Sequence, residues 1–87
     1  MNAKEWYKSG EFTKVNELNI FNKRAGKGEN IICIHGFPSS SWDFEKIWPT
    51  LITKFDVITF DLIGLGKSSK PDKAISISLQ ADMIESL

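Results

Sequence analysis

Ile31-Ile32-Cys33-Ile34-His35-Gly36-Phe37-Pro38 runs from an apolar stretch and one histidine straight into a glycine–proline loop. Apolar residues without polar alternation over residues 31–35 predict a strand covered on both faces, as in parallel sheets. Glycine and proline then predict a loop over residues 36–41. Gly36 turns at little steric cost, while Pro38 fixes one backbone angle and biases Phe37 toward extended geometry. Open α/β sheets place ligands beside loops that leave the C-terminal ends of their strands. The Phe37 amide is thereby predicted to point into a site, where an N–H stabilises negative charge developing on oxygen.

Working outward, residues 12–15 and 18–24 are strand-like segments around Asn16-Glu17, a predicted antiparallel hairpin. Residues 25–30 (Ala-Gly-Lys-Gly-Glu-Asn) form a polar loop. Residues 42–52 predict a helix capped by Ser41, with Asp43 and Glu45 in its first turn and Pro49 shortening or kinking its last. Residues 55–60 predict another strand, and residues 61–73 a long loop with Gly64, Gly66 and Pro71. Residues 76–87 predict a second helix with Ile77, Ala81, Ile84 and Leu87 on one face. Hairpin, strand, helix, strand and helix make an α/β order with the beginnings of a parallel sheet.

The 87 residues are 41% hydrophobic and 25% charged, which excludes a disordered chain. Eleven basic and eleven acidic side chains cancel, which argues against a nucleic-acid partner. Apolar runs are far too short to span a bilayer, and the opening residues lack the apolar core of a secretory signal. One cysteine makes neither an internal disulfide nor a paired-cysteine metal or redox motif, so no metal and no cofactor is expected. These features point to a soluble protein of a reducing, cytoplasmic compartment. The length fits one small domain or a piece of a larger one.

Three segments carry a resemblance. His35-Gly36-Phe37-Pro38 after a strand resembles the oxyanion loop of α/β-hydrolases. Asp61-Leu62-Ile63-Gly64-Leu65-Gly66-Lys67-Ser68 after the next strand resembles that family's D-x-x-G-x-G-x-S loop. Residues 80–87 resemble the helix preceding its nucleophile strand. Within the family the chain is most similar to the epoxide-hydrolase and haloalkane-dehalogenase branch, and there to the mesoderm-specific transcript type.

The resemblance implies the N-terminal part of an α/β-hydrolase sheet, with residues 1–87 as the first portion of a single domain. The strand at 55–60 would lie between the hairpin and the strand at 31–34. The Phe37 amide would serve the oxyanion hole, and Phe37 and Trp42 would touch substrate. His35, Gly36 and Pro38 would support the first loop, and Asp61, Gly64, Gly66 and Ser68 would build the second. Many haloalkane dehalogenases carry asparagine where this chain has Phe37, which weakens that reading relative to an epoxide hydrolase or esterase. The family's nucleophile, acid and histidine follow in that order beyond residue 87. The parent is therefore expected to hydrolyse an ester, epoxide or carbon–halogen bond of a small molecule. This chain alone is expected to be inactive and, with a bare sheet edge, to self-associate.

Other readings compete residue by residue. His35 is the only histidine, and Cys33 shares its strand face two positions away, as a thiol nucleophile and base would. A cysteine among isoleucines is otherwise a small hydrophobe with a raised pKa. Asp61 is either a base or the anchor of its glycine loop. Asp43 and Glu45 diverge on a helix. Phe44, Trp48 and Phe55 read as packing, and Lys67, Lys70 and Lys73 as solvated charge. Gly66-Lys67-Ser68 ends like a phosphate-binding P-loop. However, Asp61 stands where that loop needs glycine, and Pro71 extends the turn. A remnant that binds protein partners through its unpaired edge is the remaining alternative.

Overall fold

The computed structural model describes residues 2–87. Asn16 and Glu17 take φ values of 47° and 71°, the left-handed pair that matches the twist of a two-residue hairpin. They join β1 (Glu11–Val15) to β2 (Leu18–Ala25), with Val15 opposite Leu18. β3 (Asn30–Cys33) pairs in parallel with β4 (Asp56–Phe60), and β4 pairs antiparallel with β2. The order is β1-β2-β4-β3, so β4 lies inside and β3 forms an edge.

Alternation along these strands divides the core in two. Phe21, Val57 and Cys33 point to one face, where they pack with Trp6 and Trp48. Ile20 and Phe60 point to the other, where they pack with Val15, Ile63 and Met83. The first face is covered by α1 (Ala3–Lys8), a 3-10 turn (Ser41–Phe44) and α2 (Trp48–Leu51), and the second by α3 (Ile77–Ser86). Among the described residues no helix is long and apolar enough to cross a membrane.

Several sequence expectations need correction. The helix over residues 42–52 is broken in two. Proline is tolerated only in a first turn, so a new helix starts at Trp48 with Pro49 inside its first turn. The cap is Ser40, whose hydroxyl accepts from Trp42 N–H, because Ser41 is fully buried and engaged elsewhere. The expected apolar face of the last helix holds only for Ile84 and Leu87. Ile77 is 90% exposed, and α3 packs instead through Leu79, Met83, Ile84 and Leu87. The strand at 31–35 ends at Cys33 and is covered on one face only. Ile32 and Ile34 stay 54% and 53% exposed because α3 lies over β2 and β4 and stops short of β3.

Candidate functional site

The loop after β3 is built around one peptide plane. The Gly36 carbonyl accepts from Ser39 N–H at 3.0 Å and meets His35 Nδ1 at 2.7 Å. His35 Nε2 accepts from Leu62 N–H at 3.0 Å. Nε2 therefore bears a lone pair, so the neutral ring carries its proton on Nδ1 and donates it to Gly36 O. The Gly36–Phe37 peptide is trans, so its N–H points opposite to its carbonyl, away from His35 and Ser39. Among the described residues no acceptor takes that N–H. Two hydrogen bonds on the carbonyl also polarise the same peptide and strengthen its N–H as a donor. The following Phe37–Pro38 peptide is cis. Gly36 itself avoids positive φ, and a Cβ there would meet nothing within 4 Å, so this turn does not demand glycine.

The second loop is organised by a buried carboxylate. Asp61 is fully buried; its Oδ1 accepts from Ser41 N–H at 2.8 Å and its Oδ2 from Lys67 N–H at 2.7 Å. Ser68 Oγ donates to Asp61 O at 2.6 Å and accepts from Phe21 N–H at 3.0 Å, which joins the loop to β2 just beyond its ladder with β4. Gly66 has φ 54°, and a Cβ there would overlap the Asp61 carboxylate. Gly64 has φ 89°, with Ile75 Cδ1 2.7 Å from where a Cβ would stand. Lys70 is exposed, as expected, and also donates to Gly66 O at 2.6 Å.

The two loops meet in a groove of about 300 Å³ lined by Phe37, Leu62, Ile63, Gly64, Leu65, Ile75 and Gln80. Phe37 is 85% exposed at its rim. Trp42 is not brought there; it packs edge-on against Trp6 at 6.2 Å on the other side of the sheet. Both His35 nitrogens are occupied, which leaves the ring no lone pair for a base and argues against a Cys33–His35 dyad. Burial pushes the Cys33 thiol up, so it is neutral near pH 7. A phosphate has no place in the second loop, whose Lys67 amide is committed to Asp61. Among the described residues no cluster of three or more His, Cys, Asp or Glu gathers to hold a metal.

Three participants were not singled out as site residues in the sequence. Ser41 accepts from Trp6 Nε1–H at 3.0 Å while its amide serves Asp61. Burial raises the Tyr7 phenol above its usual range, against the pull of the Ser40 hydroxyl, and the nearby Asp61 charge adds to the rise. Gln80 holds Ile63 at two points. Only the Asn2-x-x-Glu5 capping box that opens α1 was a readable signal for any of them.

Comparison with known proteins agrees with this fold. The mesoderm-specific transcript protein of Mus musculus is 41% identical over 88 residues, covering 94% of this chain and 26% of that protein. The soluble epoxide hydrolase of Corynebacterium sp. strain C12 is 37% identical over 57 residues, covering 66% of this chain and 20% of that protein. An alpha/beta hydrolase fold protein from Burkholderia ambifaria superposes with a TM-score of 0.81 at 28% identity, over 87% of this chain and 28% of that one. The chain thus spans about a quarter of the length of these relatives. A model of the alpha/beta hydrolase fold family matches residues 29–86, from the residue before β3 to the end of α3, and the chain belongs to that family.

Proposed function

We propose that this chain supplies the oxyanion-binding corner of a hydrolase acting on an ester, epoxide or carbon–halogen bond, with the Phe37 amide as donor. The observation that carries the reading is the Gly36 carbonyl held at two points, which frees and aims the N–H of its own peptide. Residues 1–87 form the first portion of one hydrolase domain. Nucleophile, acid and base come from the remainder, so the chain alone is inactive. With a serine nucleophile, attack on an ester carbonyl moves an electron pair onto oxygen, and the Phe37 N–H holds that charge. With an aspartate nucleophile, the carboxylate opens an epoxide or displaces halide to form an alkyl ester. Water then adds to that ester carbonyl, and the amide meets the oxyanion in this second step. His35, Gly36 and Pro38 set the first loop, and Asp61, Gly64, Gly66 and Ser68 set the second. The substrate is a neutral small molecule met in the apolar groove. Lone, buried Cys33 supports a reducing, cytoplasmic setting.

The test is hydrolysis of a nitrophenyl ester, an aryl epoxide and a bromoalkane by the 87-residue chain and by the longest polypeptide in which it is produced. The chain alone should turn over none, and the longer polypeptide one class. Replacing the Phe37 amide by an ester should cut kcat about 10²–10³-fold. An unchanged kcat would remove Phe37 from the mechanism.

A second reading rests on a different observation: β3 pairs on one side only, beside exposed Ile32 and Ile34. On that reading the chain is a module that binds a protein partner along this edge.

A further inference from the structure

We propose that Gln80, on α3, is a positioning residue for the Phe37 amide. Its Oε1 accepts from Ile63 N–H at 3.0 Å and its Nε2 donates to Ile63 O at 3.0 Å. One side chain thus does what a neighbouring strand would do, satisfying both backbone groups of a residue that has left the sheet. The residue before it, Leu62, gives its N–H to His35 Nε2, and His35 Nδ1 holds Gly36 O. Two parallel hydrogen bonds on Ile63, the Ile63–Leu62 backbone and then two hydrogen bonds through His35 form a series from α3 to the peptide whose N–H is the oxyanion donor. Each has a fixed direction: the Leu62 N–H selects the His35 tautomer, and that tautomer alone can donate to Gly36. Gln80 fixes the start of this series. Its side chain also lines the groove floor, so substrate and donor share one frame.

Neither a carboxylate nor an apolar side chain fits these demands. A glutamate at 80 keeps the acceptor for Ile63 N–H but sets a second acceptor against Ile63 O. A leucine loses both bonds and leaves two backbone groups unpaired. The functional meaning rests on the oxyanion reading, but the geometry is measured independently of catalysis.

Labelling isolates the two ends of the series. His35 is the only histidine and Gly36-Phe37 the only Gly-Phe step, so [15N]histidine gives one ring, and carbonyl-13C glycine with [15N]phenylalanine gives one peptide cross-peak. Magic-angle-spinning NMR reads both in the 87-residue chain whether or not it assembles. Wild type should show only the Nδ1–H tautomer and one Gly36–Phe37 peak. Gln80→Leu should mix the tautomers and shift that peak. Leu79→Ala, which loosens α3 packing without touching the clamp, should leave both as in wild type. If circular dichroism shows Gln80→Leu unfolded, the nearly isosteric Gln80→Glu decides by the same criterion at neutral pH. Mixed tautomers in wild type, unchanged signals in the deciding variant, or an equal response to Leu79→Ala would each overturn the proposal. Loss of the Phe37 contribution to kcat with an intact series would sink the oxyanion reading instead.

Discussion

Asp61 shows how much one side chain fixes here. Its two oxygens serve amides from separate loops, so it ties Ser41 to Lys67 across the carboxyl end of the sheet. In Asp61→Asn one oxygen becomes an NH2 facing an N–H donor. The variant should lose about 1–3 kcal/mol, read as a lower urea midpoint at unchanged slope. Gly66→Ala should cost at least as much, since it adds a positive-φ penalty to overlap with the same carboxylate. Cys33 gives a pH-dependent prediction. Burial raises its thiol pKa in the fold, so the unfolded chain releases that proton first. Stability should therefore hold below about pH 8.5 and fall as pH rises beyond it. Lys23, lowered by burial, acts with the opposite sign, so the informative comparison is wild type against Cys33→Ala. Thermal melts from neutral to alkaline pH should show the variant losing less. At this scale Asp61, Gly64, Gly66 and His35 were legible, because turn chemistry and strand ends single out those residue types. Ser41 and Gln80 were not, since a serine and a glutamine beside helices look like surface until something is seen to meet them.

Among the elements, α1 shows why existence is harder to read than pattern. Six residues cannot hold a helix by themselves, and nothing in residues 3–8 repeats often enough to reveal a face. Tertiary contacts make it. Trp6 is fully buried, meets Trp48 edge-on at 5.3 Å and carries the Lys23 ammonium 4.0 Å from its ring centroid. Lys23 Nζ also donates to Ser9 at the helix end, and Tyr7 packs on Phe21 at 4.6 Å. Trp6→Ala should cost about 3–5 kcal/mol. That is a large part of the roughly 4–13 kcal/mol that a domain of this length holds. Trp6→Phe keeps most of the packing but leaves Ser41 Oγ without its donor, for about 1 kcal/mol. Equilibrium unfolding separates the two, and a loss below 1 kcal/mol in the alanine variant would mean α1 is not docked as described. The hairpin and β4 were legible because their signals are local: a two-residue turn and a short apolar run. The break at residues 45–47 was not, because Pro49 fixes where a helix can begin only once Ser41 is known to be withdrawn into the core.

For the whole molecule, the decisive feature is a sheet finished on one side. β1 is a hairpin edge, whereas β3 is a parallel strand with its second row of backbone groups unpaired. Such a strand is normally internal and covered on both faces. On the side of β3 opposite the tryptophans Ile32 and, one residue past the strand end, Ile34 stay exposed. Ile32 lines a groove of about 190 Å³ with Ile58, Phe60, Ile84 and Leu87 and with Arg24, Asn30 and Asp56. Unpaired edge and apolar face lie on the same strand, the combination that favours edge-to-edge pairing. The 87-residue chain should therefore sediment as dimers or larger species at micromolar concentration. Ile32→Lys with Ile34→Lys should shift it toward monomer, since two ammonium groups oppose each other across any pairing of like edges while β3 keeps its ladder to β4. A wild-type chain that stays monomeric and melts cooperatively would instead mean that the edge is already blunted, and would favour a self-sufficient module over a portion of a longer sheet.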